Sequence, residues 1–142
     1  LFRKTERGRT HKEKTMTKKK ISCDKAPSAI GTYSQAIEAG KYVFISGQIP
    51  LDYNDMTVIE DSFDNQVEVV LRNLKNIAIE SGCNLNDCVK LTVYLKDLGN
   101  FSIVNTAMEK FFDEPYPARA AVEVSRLPKD VSIEIDAILY KE

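Results

Sequence analysis

The stretch Pro115–Ala137, PYPARAAVEVSRLPKDVSIEIDA, decides how this chain is read. Pro115 and Pro117 rigidify the entry. From Arg119 the run ARAAVEVS reads as a strand, and a Leu-Pro-Lys-Asp turn leads into a second, VSIEIDAIL. In that second strand Val131, Ile133, Ile135 and Ala137 share one face, while Glu134 lies on the other between Ser132 and Asp136. If the two strands pair, a guanidinium and a carboxylate approach one cleft from neighbouring strands. Such a cleft suits a small carboxylic acid. The same residues also fit a plain hairpin with exposed charges.

Working back toward the N-terminus, the periodicity alternates between strand and helix. Lys41–Gln48 reads as a strand with Val43 and Ile45 on one face, followed by a connector over Leu51–Asp61. Ser62–Ser81 reads as a helix, with Phe63, Val67, Val70, Leu71, Leu74 and Ile77 at helical spacing and Gly82 as its stop. Ser62 or Asp61 caps it. Val89–Lys96 alternates strictly, with Val89, Leu91, Val93 and Leu95 inward. Asn100–Phe112 is a second helix, with Ile103, Ala107, Met108 and Phe111 or Phe112 inward. Ile21–Gln35 reads as a loop or edge segment, and a further strand can be placed at the N-terminus. The order predicts an α+β fold, two helices on one face of a mixed sheet. The other face carries Thr92, Tyr94, Ser132 and Glu134, and self-association is the expected use of it.

Composition narrows the function. The 142 residues, 43% hydrophobic and 29% charged, suit one domain with a modest core. Residues 1–20 hold nine of the 20 basic residues against two of the 21 acids. They read as a disordered basic extension, and 21–142 as a single domain with 11 basic and 19 acidic residues, a net of −8. Backbone phosphates are bound through Lys and Arg, so this acidic domain is a poor nucleic-acid binder. The lone His11 lies in the extension, which leaves the domain without a histidine ligand or base and predicts no metal. Cys23, Cys83 and Cys88 fit no zinc or redox spacing and read as free thiols in a reducing compartment. Without a secretory apolar core or a membrane span, the expected location is cytoplasmic, with a mitochondrial or other organellar one as the alternative.

Three motifs in order carry a resemblance. Pro117-Ala-Arg-Ala through Arg126-Leu-Pro-Lys-Asp-Val to Ile133-Glu-Ile is similar to the C-terminal signature of the RidA/YjgF family. Gly31-Thr-Tyr-Ser-Gln-Ala36 with Phe44-Ile-Ser-Gly-Gln-Ile-Pro50, and Val93-Tyr-Leu-Lys-Asp-Leu98 with Val104-Asn105, resemble it too. The likeness runs from about Ala26 to Tyr140. Members are small imine and enamine deaminases, some also carrying the name L-PSP endoribonuclease.

The resemblance implies a chorismate-mutase-like α+β fold and a homotrimer with a central barrel and active sites between subunits. It implies cofactor-free hydrolysis of 2-imino acids such as 2-iminobutanoate and 2-iminopropanoate. In that reading Arg119 anchors the substrate carboxylate and Glu134 orients water and moves protons. Tyr33, Ser46, Gly47 and Asn105 line the same pocket, and the Ala121 N–H contacts the carboxylate. Endoribonuclease action on RNA, or a trimer that binds small ligands without catalysis, are the alternatives. Two positions depart from the family pattern. Thr32 stands where proline is usual, which loosens the Tyr33 loop, and Ala121 stands where a cysteine is common, so no thiol nucleophile is available there.

Overall fold

Period-two alternation builds one sheet from six strands, β1 (Lys19–Ile21), β2 (Ala36–Ala39), β3 (Tyr42–Gln48), β4 (Cys88–Leu95), β5 (Ala118–Glu123) and β6 (Ile133–Tyr140). The structure is a computed structural model and describes residues 17–142. Strand order is β1-β2-β3-β6-β4-β5, and only the β4–β5 pair is parallel. Helix α1 (Phe63–Glu80) follows β3, and α2 (Phe101–Phe111) is the crossover between the parallel strands. Both elements end within one residue of where the periodicity puts them. Ser62 is the α1 cap, its hydroxyl accepting from the Asn65 N–H at 3.2 Å, while Asp61 accepts from the Asn65 side chain at 2.6 Å. Both candidate residues therefore take part.

Four expectations need correcting. Val89, placed inward with Leu91, is 44% exposed, because the β4–β6 register shifts between Cys88 and Lys90 and Cys88 is the residue that turns inward. The two C-terminal strands do not pair with each other, because β4 lies between β5 and β6. Lys19 and Lys20, placed by sequence in the basic extension, belong to β1 and pair with Glu38 and Ile37; the rest of that expectation, over residues 1–16, lies outside the described residues. In α2 the fully shielded residue is Val104, with Ile103 only packed against the core, and Phe112 is the aromatic that enters it rather than Phe111.

The core is one cluster between the helices and one face of the sheet. Leu91, Val93, Leu95, Ile133, Ile135 and Leu139 meet Val67, Val70, Leu71, Leu74 and Ile77 there. The other face is uncovered. Across it, Ile37 pairs with Phe44, Phe44 with Ile138, and Tyr42 with Tyr140, a cross-strand aromatic and aliphatic strip. Tyr42 and Phe44 are each 45% exposed, so the strip faces water in a single chain. Among the described residues no helix is long and apolar enough to cross a membrane.

One buried side chain ties the N-terminal segment to this frame. The Gln35 carbonyl oxygen accepts from the Cys23 N–H at 2.6 Å, and its amide donates toward the carbonyls of Cys23, Ala26 and Pro27 at 3.1, 3.3 and 2.7 Å. Gln35→Leu keeps the bulk but strands those backbone groups out of water. It is expected to cost about 2–4 kcal/mol in urea unfolding.

Candidate active site

The site begins with an irregularity in β3. Ile45 pairs with Ala137 and Gln48 with Ile135, so Ser46 and Gly47 together oppose the single residue Asp136. A bulge of this kind bends the strand and re-aims its side chains. Ser46 uses the freedom to bind the preceding loop: its hydroxyl donates to the Ser34 carbonyl at 2.6 Å and its N–H to the Gln35 carbonyl at 2.9 Å. Tyr33 is thereby held beside the bulge, its hydroxyl accepting from the Ile30 N–H at 3.4 Å. Gly31 turns that loop at φ 122°, a conformation that only glycine adopts without strain.

Gly47 is a glycine for a second reason. A Cβ there would lie 2.8 Å from Cδ of Glu134 and would overlap its carboxylate oxygen. The missing side chain is what gives Glu134 its room. Tyr33, Ser46, Gly47 and Glu134 line one cavity of about 600 Å³, whose wall is extended by Ile30, Leu51, Met56 and Lys129. Glu134 is half-buried there, and burial together with the like charge of Asp136 raises its proton affinity above that of an ordinary carboxylate.

Arg119 stands elsewhere. It pairs with Leu91, which on its other side pairs with Ala137, so Arg119 projects from the helix-covered face. Glu134 pairs with Tyr94 and projects from the open face. Within one chain, then, the expected guanidinium–carboxylate cleft does not form: β4 separates the two residues and they face opposite ways. Arg119 instead donates to Asn105 Oδ1 at 2.9 Å, lies 3.6 Å from the Met108 sulfur and caps the Phe101 ring at 4.6 Å. These partners orient the cation without neutralising it. Among the described residues Arg119 forms no ion pair, and the nearby acid Glu123 accepts from the Leu98 N–H at 2.9 Å instead. Arg119 and Asn105 line a separate cavity of about 380 Å³ with Glu109 and Tyr116. Ala121, half-buried, follows on the same face.

The structure divides the residues expected from sequence between two cavities: Tyr33, Ser46, Gly47 and Glu134 line one, Asn105 and Arg119 the other. What periodicity missed is the bulge, whose one signal is a glycine inside a strand. Lys129, lining the Glu134 cavity, was likewise not singled out. The three thiols are unpaired, and burial pushes Cys88 up to about 11 and raises Cys23, which makes both poor nucleophiles. Among the described residues no group of His, Cys, Asp or Glu is placed to hold a metal ion.

Two measurements check this geometry. Gly47→Ala is expected to cost about 1–3 kcal/mol of stability, and most of that loss should disappear in a Glu134→Ala background. Because Glu134 binds its proton more tightly folded than unfolded, stability falls as pH rises from the ordinary carboxylate range through the raised value. Glu134→Gln should therefore stabilise the protein above that window and leave it unchanged below, as read by thermal unfolding across pH.

A family model described as Endoribonuclease L-PSP matches residues 23–141. A RutC family protein of Pyrococcus abyssi is 50% identical over 127 residues, 89% of this chain and 100% of that one. The 2-iminobutanoate/2-iminopropanoate deaminase of Salmonella typhimurium is 47% identical over 126 residues, 87% of this chain and 98% of its own. The crystal structure of Escherichia coli TdcF with bound serine superimposes with a TM-score of 0.82 at 40% identity, covering 87% of this chain and 99% of that one.

Proposed function

The chain belongs to the endoribonuclease L-PSP family, the RidA/YjgF proteins, and from that premise we propose that it hydrolyses 2-imino acids to 2-oxo acids and ammonia. We further propose that it does so as a homotrimer whose sites lie between subunits. The observation that carries the reading is the division of the site. Arg119, which has no anionic partner among the described residues, and Glu134, with its raised proton affinity, stand on opposite faces of one sheet. Each half is incomplete, and a second copy supplies what the first lacks. The uncovered strip of Ile37, Tyr42, Phe44, Ile138 and Tyr140 supports association through the open face.

The chemistry follows from the residues. Arg119 grips the substrate carboxylate through its planar fork, with Asn105 fixing the guanidinium. Tyr33 walls the reacting carbon, and Ser46 and Gly47 bound the cavity at the bulge. Water adds to the C=N carbon while Glu134 takes a proton from it and passes one to the imine nitrogen. Collapse of the carbinolamine breaks the C–N bond, releases ammonia and leaves the 2-oxo acid. A carboxylate with raised proton affinity suits both transfers better than an ordinary one. Small substrates such as 2-iminopropanoate and 2-iminobutanoate fit the named relative's activity, and serine bound to TdcF shows a small amino acid held by this fold. The RNA cleavage in the family's name has less support, since residues 21–142 carry a net charge of −8.

Ammonia release from imines made in situ by an amino-acid oxidase tests the proposal. Arg119→Ala should lower kcat/KM roughly 10- to 150-fold, the equivalent of about 1.5–3 kcal/mol, with only partial rescue by Arg119→Lys. Glu134→Gln should reduce turnover by roughly 10²-fold while pyruvate binding, followed by calorimetry, stays near wild type. Wild-type rates in both variants would sink the assignment. Light scattering should return three times the chain mass; a monomer at micromolar concentration would sink the shared site.

A further inference from the structure

Glu134 has a neighbour that the proposed mechanism does not use. Asp136 is two residues on in β6 and so projects from the same face. It pairs across the sheet with Thr92, one alternation along from the Tyr94↔Glu134 pair. The Tyr94 hydroxyl donates to Asp136 Oδ2 at 3.0 Å, so the tyrosine directly opposite Glu134 reaches diagonally to hold the second acid. A hydroxyl fixes a carboxylate without cancelling its charge. Among the described residues, no cation lies within ion-pair distance of Asp136 or Glu134.

The surroundings of Glu134 single out Asp136. From β4 it is faced by Tyr94, from the turn before β6 its cavity is lined by Lys129, and from β3 by Ser46 and Gly47, which bring no charge. Lys96 is held by Asp130 at 2.7 Å, so those two charges offset each other. Lys129 lines the cavity without pairing with Glu134. The phenol of Tyr94 is itself pushed up, by burial and then by Asp136, and it remains a donor through the neutral range.

We propose that Asp136 is a positioning residue of this site: fixed by the Tyr94 hydroxyl on the same face as Glu134, it supplies the like charge against which Glu134 holds and delivers its proton. The proposal rests on the deaminase reading for its purpose but not for its physics. The like charge penalises the ionised form of Glu134 and leaves the protonated form untouched. Covering the open face on assembly removes water from both carboxylates and strengthens the coupling. Asp136 touches neither the substrate carboxylate nor the imine in this scheme. It acts only through Glu134.

The titration of Glu134 decides the matter on the intact protein, by carboxyl-carbon NMR with the Glu134 signal assigned through its loss in Glu134→Gln. Asp136→Asn, and Asp136→Thr as a second variant that suits a strand, should both lower the Glu134 midpoint. The limb of the deamination pH–rate profile governed by Glu134 should move to lower pH with it. Tyr94→Phe should perturb the midpoint only while Asp136 is present, and add nothing in the Asp136→Asn background. An unchanged Glu134 midpoint in a folded Asp136 variant overturns the proposal, as does a Tyr94→Phe effect that survives the loss of Asp136. A lowered midpoint in a protein that deaminates nothing would count against the reaction and leave the coupling standing.

Discussion

A strand residue faces one side of its sheet or the other, and Arg119 and Glu134 face opposite sides. The rest of the site depends on that constraint. Leu91 sits in the same cross-strand row as Arg119, and Tyr94 in the row of Glu134, so the separation is set by register and cannot be relieved by a rotamer. A slip of β6 by one residue would carry Glu134 to the other face only by turning Ile133, Ile135 and Leu139 out of the core. The hydrophobic core therefore fixes the incompleteness of the site. In the proposed assembly a second copy completes it at no cost to either core.

Incompleteness shows in the energetics of each half as well. A guanidinium engaged by an amide oxygen, a thioether and an aromatic ring is oriented but keeps its charge available. A glutamate enclosed by a glycine bulge and faced by another acid is likewise kept from settling into an ion pair. Among the described residues neither group is stabilised by a salt bridge, which leaves both available to the ligand of the proposed reaction. The ion pairs Lys96–Asp130, Lys141–Glu38 and Lys110–Glu68 engage neither group.

Much of this was legible in the sequence, for physical reasons that also explain the failures. Helical periodicity over Phe63–Glu80 states which side is buried and where the helix ends, because both follow from residues a few positions apart. Alternation in β6, and in β4 from Lys90 onward, likewise gives each strand its faces. It does not say which strands are neighbours. The pairing of β5 with β4 rather than with β6 is settled by α2, which carries the chain from β4 to the outer edge in the parallel sense. Motif resemblance picked out Tyr33, Ser46, Gly47, Asn105, Arg119 and Glu134 as a set, and a set has no coordinates. The aromatic strip of Tyr42, Phe44 and Tyr140 escaped notice because its members come from strands at opposite ends of the chain.

The backbone around the Glu134 cavity shows how the remaining half-site is kept in shape. Among the described residues, the non-glycine residues with positive φ are Met56, Lys129 and Asp130, at 64°, 55° and 56°. Met56 and Lys129 both line this cavity, and Asp130 follows directly. Each such conformation costs on the order of 1–3 kcal/mol and persists only where surrounding bonds impose it. Here the bonds are identifiable. The Met56 N–H donates to the Asp52 carbonyl at 2.8 Å, and the Asp52 N–H to the Thr57 carbonyl at 2.9 Å. On the other side, Lys96 grips the Asp130 carboxylate at 2.7 Å, and its N–H donates to the Ser132 carbonyl at 3.2 Å. A relaxed loop at either place would carry Met56 or Lys129 away from the wall. The strain is thus local, and it is opposed by β4 and the turns that frame the cavity. Glu134, rooted in the central strand, meets a rim whose position is set independently of any ligand.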